Sequence, residues 1–192
     1  MGGILRILVL LLLVAAWGIY LAGDPTSAKK KAQHINCVNN MKQLGFAFII
    51  WSGDNNDHYP FNVSTKAGGT LELCNRDPDG FDRNGFLSLQ VMSNELSTTK
   101  ILLCPKDKTK HLATNFFDLR PENVSYRIRS GTNIDGANPD EILAVCPVDG
   151  NILYCDGSVS PKGTKRNART RQTLPPRMGL DAKMEADTNS AR

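Results

Sequence analysis

Residues Ile4 to Ala22 read ILRILVLLLLVAAWGIYLA, with Arg6 the one charge among them. No other stretch restricts the chain so strongly. A helix apolar on every side has no face to give to water, so it is a membrane segment rather than a surface helix of a soluble domain. Roughly 20 such residues at ~1.5 Å rise cross the hydrocarbon core of a bilayer. Arg6 lies near one end and reaches the headgroups along its aliphatic stem. Two fates fit this pattern. A retained single-pass anchor needs nothing more, whereas a cleaved signal peptide would use Arg6 as its basic flank and Thr26-Ser27-Ala28 as its small-residue site. We read the segment as the anchor. The flanking charges are at odds with an exported body: Lys29, Lys30 and Lys31 follow the run, and by the positive-inside rule alone they would face the cytoplasm.

The five cysteines argue for export. They stand at 37, 74, 104, 146 and 155 without a Cys-x-x-Cys pair. In an exported chain such residues usually pair, and with five one must be left over. The charge balance separates body from tail. Residues 161–192 hold eight Lys or Arg against three acids, a net of +5, while the whole chain is +4 and residues 1–160 sum to about −1. The body therefore presents no general cationic face for nucleic acid. The tail has no apolar periodicity and is expected to be disordered. The organisation expected is an anchor and junction over 1–26, an α+β domain over 27–160, and a basic disordered tail over 161–192.

Pro25 suits the first turn of a new helix or a kink. Beyond it Cys37, Met41, Leu44, Phe48 and Trp51 recur at spacings of 4, 3, 4 and 3, which predicts an amphipathic helix over 27–53 with Val38 and Ile49 widening the stripe. Lys30, Asn40 and Lys42 fall on the other face. Gly53 and the polar run to Asp57 are expected to end it. Phe86 to Leu96 reads as a short helix. Val124 to Ser130 alternates, with Val124, Tyr126 and Ile128 on one face, and Glu141–Cys146, Asn151–Cys155 and Ser158-Val159 follow as strand-like runs. Asp156-Gly157 is a two-residue hairpin signal, since both positions of that turn favour φ > 0. The sum is an antiparallel meander with its inner face against the helix, and Met41, Leu44, Phe48 and Trp51 as the packing residues.

Several blocks resemble the pilin-like proteins related to type II secretion pseudopilins that are abundant in Planctomycetes and Verrucomicrobia. They are Cys37, Asn39-Asn40-Met41-Lys42-Gln43-Leu44-Gly45, Asp54, Asp57, Tyr59-Pro60, Cys104-Pro105-Lys106-Asp107, Ser125-Tyr126, and the run from Cys146 to Val159. The resemblance covers nearly everything from Ile4 to Ser160. The resemblance implies a pilin-like fold: a long N-terminal helix, half membrane-spanning and half amphipathic, on a small antiparallel sheet. It implies a non-catalytic structural or accessory subunit of a pilus-like, type II secretion-like assembly in a bacterial inner membrane, single-pass, with its body in the periplasm or at the cell surface. Membrane lipid and related pilin-like subunits would be its partners. The alternative is a stand-alone anchored binding module that keeps this fold without polymerising. Family members are cut after a glycine, which here places the processing site between Gly3 and Ile4. The fifth mature residue is then Leu8 where the family has Glu. Asp149 replaces a His common in the family, in what reads as a surface turn accepting either.

Candidate ligand sites are few. Cys37, on the apolar stripe, is read as a buried free thiol. The remaining four cysteines can form two bridges in three ways. Cys104–Cys146 is preferred because each opens a Cys-Pro exit from a strand-like run, and Cys146 and Cys155 stand diagonally on one hairpin. A zinc site would need four thiolates without the usual short paired spacing. Asp77, Asp79, Asp82 and Asn84 offer oxygen ligands for calcium, but not at EF-hand spacing, and the resemblance is what suggests that ion. A solvated, Asp-capped loop is the competing reading. His34, His58 and His111 are read as surface or cap residues. No nucleophile elbow, phosphate-binding glycine loop or paired-histidine motif is present, so neither an enzyme activity nor a small-molecule substrate is expected.

Overall fold

The computed structural model describes residues 2–21 and 25–161, and the predicted tail lies, but for Pro161, outside the described residues. Two helices open the chain, α1 (Gly2–Leu21) and α2 (Pro25–Gly53). The processing position between Gly3 and Ile4 falls in the first turn of α1. In α1 the side chains of residues 2–14 and of Trp17 are described, and the large apolar ones are all exposed, from 48% at Val9 to 72% at Ile4. Among the described residues no helix is long and apolar enough to cross a membrane.

Pro25 starts α2, where its missing N–H costs no intrahelical bond. The predicted stripe is the buried one: Cys37, Met41, Leu44, Phe48 and Trp51, joined by Gly45, Ala47 and Ser52. Asn40 departs from its predicted solvent face. It is half-buried and donates from Nδ2 to the Leu103 carbonyl at 3.0 Å. The helix ends as expected, but the left-handed residues of the exit are Asn56 (φ 54°) and Asp57 (φ 62°), not Gly53. Asn55 Nδ2 donates to the Trp51 carbonyl at 2.8 Å, satisfying an acceptor the last turn would otherwise leave open.

The sheet has four short antiparallel strands in the order β1 (Arg127–Ile128), β2 (Ile142–Val145), β3 (Ile152–Tyr154) and β4 (Val159–Ser160). The meander is thus present with shorter strands than the alternation predicted. Ser125 and Ser130 turn their N–H groups to the carbonyls of Leu102 and Gly80, so loops rather than β2 pair the ends of that run. Asp82 N–H donates to the Ile128 carbonyl at 2.7 Å, which covers the outer edge of β1. A bulge between Ile142 and Ala144 lets Leu143 and Ala144 both face inward. The β3–β4 connection is not the two-residue turn expected from Asp156-Gly157. Gly157 alone has φ > 0 (80°), and Tyr154 N–H reaches the Ser158 carbonyl, the three-residue loop with a left-handed glycine.

Between Gly85 and Val91 runs α3, shorter than the predicted 86–96. The core lies between α2 and the sheet. Phe48, Tyr59 and Phe61 form an aromatic triangle with centroids 5.2–6.0 Å apart, and Tyr59 satisfies its hydroxyl on the Cys155 carbonyl at 2.7 Å. At Gly45 there is no room for a side chain between helix and sheet: a Cβ there would stand 2.8 Å from Leu153 Cδ1 and 3.0 Å from Gly157 Cα.

Candidate functional site

Three segments far apart in sequence each bring a cysteine to one point. Cys37 comes from the buried stripe of α2, Cys104 from just beyond the 3-10 turn Thr99–Leu102, and Cys146 from the end of β2. Their sulfurs all lie within 4.8 Å of one another, and all three residues are buried. The prolines explain the local path. Neither Pro105 nor Pro147 can donate to a ladder, so the chain leaves its extended run directly after each cysteine. It then closes a turn, Asp107 N–H to the Cys104 carbonyl and Gly150 N–H to the Cys146 carbonyl. Asn40 and Gln33 of α2 hold the second segment in place through the carbonyls of Leu103 and Pro105.

The sulfurs have donors aimed at them. Asp149 N–H points to Cys146 Sγ at 3.3 Å, and Asn151 Nδ2 to Cys37 Sγ at the same distance. The Tyr126 hydroxyl stands 4.0 Å from Cys37 Sγ. A hydrogen bond from the Cys37 thiol, aided by the Asp149 N–H, lowers the Cys146 thiol below its ordinary value. The same bond, with burial, raises Cys37. Burial raises Cys104 and the Tyr126 phenol.

A charged layer adjoins the sulfurs, built from the same three segments. Asp149, with a side chain only 7% exposed, takes Lys106 Nζ on Oδ1 at 2.6 Å and His34 Nδ1 on Oδ2 at 2.7 Å. Asn151 Nδ2 adds a third donor at 3.3 Å. Burial alone would raise the Asp149 carboxyl, but Lys106 and His34 together hold it below its usual range. The bond to Asp149 raises Lys106 in turn. This corrects two sequence readings. Asp149 does not sit in an indifferent surface turn, and His34, one helical turn from Cys37, is hydrogen-bonded to its carboxylate rather than a plain surface residue.

The preferred bridge partners Cys104 and Cys146 do meet, as free thiols, with Cys37 as a third. Cys146 and Cys155 sit at opposite ends of the β2–β3 hairpin, since Cys146 N–H pairs with Asn151 and Cys155 N–H with Glu141. Cys74 lies apart, its thiol donating to the Thr70 carbonyl at 3.3 Å. Burial pushes Cys74 up to about 11 and Cys155 to about 12.

The acidic loop is arranged differently. Asp77 Oδ1 accepts from the N–H groups of Asp79 and Phe81, and its Oδ2 takes Arg127 at 2.6 Å. Asp82 Oδ1 accepts from the N–H groups of Asn75 and Asn84, and Asn84 donates to the Leu73 carbonyl. These carboxylates spend their lone pairs on their own loop, as an Asp-capped turn does. Among the described residues the group of metal-ligand type that converges is the cysteine trio. His58 and His111 are exposed. No protein-family model, curated protein or solved structure matches the chain.

Proposed function

We propose that this chain is a non-catalytic, membrane-anchored structural or accessory subunit of a pilus-like, type II secretion-like assembly, with its α+β body on the outer side of a bacterial inner membrane. The observation that carries the reading is α1. Twenty residues are helical from Gly2 to Leu21, and the large apolar side chains described on it are exposed on all sides. In the sequence the apolar run Ile4–Ala22 supplies roughly the 20 residues that a hydrocarbon core takes, although among the described residues no helix is long and apolar enough to cross a membrane. Leaving such a surface in water forfeits roughly 1.5–3 kcal/mol per large apolar side chain, so lipid or a neighbouring helix is its natural cover. One-sided seating of α2 on a small antiparallel sheet supports the pilin-like form of the proposal, together with the sequence blocks that resemble that family.

A stand-alone anchored module is the second reading, and Leu8 favours it. A carboxylate at that place would be costly in lipid unless paired, so its presence would mark a subunit contact that Leu8 does not offer. Two measurements separate these readings. Protease added to spheroplasts should degrade the body of the full-length, membrane-bound protein from outside. Protection from external protease, or recovery in the soluble fraction without detergent, overturns the topology. Fibres sheared from the cells and probed for the chain then decide between subunit and stand-alone module.

A further inference from the structure

We propose that Cys37, Cys104 and Cys146 bind a soft d10 metal ion, zinc or cuprous copper, as a trithiolate site that ties α2 to the sheet. The sulfurs lie within 4.8 Å of one another in a buried pocket of the fold. Thiolates bound to one ion at ~2.3 Å in tetrahedral geometry stand about 3.8 Å apart, so an entering ion needs only a small inward movement of the side chains. Sulfur ligands select zinc and Cu(I) over magnesium or calcium.

What surrounds the sulfurs fits a bound thiolate better than a disulfide. Cys146 Sγ and Cys37 Sγ are acceptors, of the Asp149 N–H and of Asn151 Nδ2. Cys74, outside the cluster, does the reverse and donates its S–H to a carbonyl. Such outer donors hold ligands in place and temper their charge. Asn151 is fully buried, and its Oδ1 has no hydrogen-bond partner, so the amide is oriented by what its Nδ2 donates to. A disulfide between any two of the sulfurs would strand the third in the core, whereas one ion uses all three. Binding releases the remaining thiol protons to solvent and involves no redox step.

The site is the same whether or not the chain polymerises, so its test is independent of the membrane reading. Full-length protein should be purified in detergent without chelator and without oxygen, and its metal content measured by mass spectrometry. About one zinc or copper per chain is expected. It should be lost in C37S, C104S and C146S and retained in C74S and C155S, with the element found distinguishing zinc from copper. Cobalt(II) added to the reduced, metal-free wild-type chain should give the intense thiolate-to-cobalt absorption of a three-sulfur site, a readout that does not depend on any variant folding. A reduced full-length chain that takes up none of these ions overturns the proposal. So does a native chain in which two of the three sulfurs form a disulfide.

Discussion

The two N-terminal helices differ both in what they contain and in how it is arranged. In α1 four leucines follow one another from Leu10 to Leu13, and every described large apolar side chain is exposed. In α2 apolar residues are fewer but fall at spacings of 4 and 3, and one face carries much of the core. Composition accounts for part of the difference, since α1 has one charged residue, Arg6, where α2 has four lysines, and arrangement accounts for the rest. An amphipathic stripe can be matched by one sheet, because the opposite face is already content in water. A helix apolar all round has no face already content in water, so no single sheet of this size matches it. Phe46 and Ile50 sharpen the point, since they lie on α2 yet are 57% exposed, off the stripe that the sheet covers.

The comparison is most severely tested by removing α1. A chain that begins at Pro25 should pass from membrane-bound to soluble, and centrifugation without detergent reads the change as all or none. If the shortened chain still pellets with membranes, α1 is not what holds the protein there. Within α2, Phe48→Ala deletes a ring from the aromatic triangle with Tyr59 and Phe61. The expected loss is about 3–5 kcal/mol, measured by thermal or denaturant unfolding of the soluble chain. Gly45→Ala should follow at about 1–3 kcal/mol, because the new methyl group meets the backbone of Gly157 as well as the flexible end of Leu153. Smallest of all, Phe46→Ala should change stability by roughly 0.5 kcal/mol or less, as exposed positions usually do. Equal shifts for Phe46→Ala and Phe48→Ala would dissolve the distinction between the two faces of α2.

Much of this architecture is legible in the sequence because it depends on local periodicity. The 4–3–4–3 spacing alone names the residues that α2 buries, and the late apolar runs separated by turn residues name the meander, since both follow from the repeat of the backbone itself. Strand lengths were less legible. Val124 to Ser130 alternates well enough to predict a full strand, but its flanks found partners in the loops at Leu102 and Gly80. The Asp156-Gly157 turn shows the same limit: the dipeptide announces a hairpin, while the register of β3 on β4 decides that only the glycine adopts positive φ.

The sequence by itself determined that one helix is apolar but for Arg6, that the next has a single buried face, and that an antiparallel meander closes the domain. These are consequences of side-chain pattern read against a fixed rise and twist. Only the tertiary structure decided that Cys37 joins Cys104 and Cys146, that the Asp149 side chain is buried between His34 and Lys106, and that Gly45 packs against Leu153 and Gly157 with no room for a Cβ. Each of these is a meeting of segments remote along the chain, set by how α2 docks across the sheet. Spacing says nothing about such a meeting, because the docking angle and depth come from the packing of the whole core rather than from any one segment.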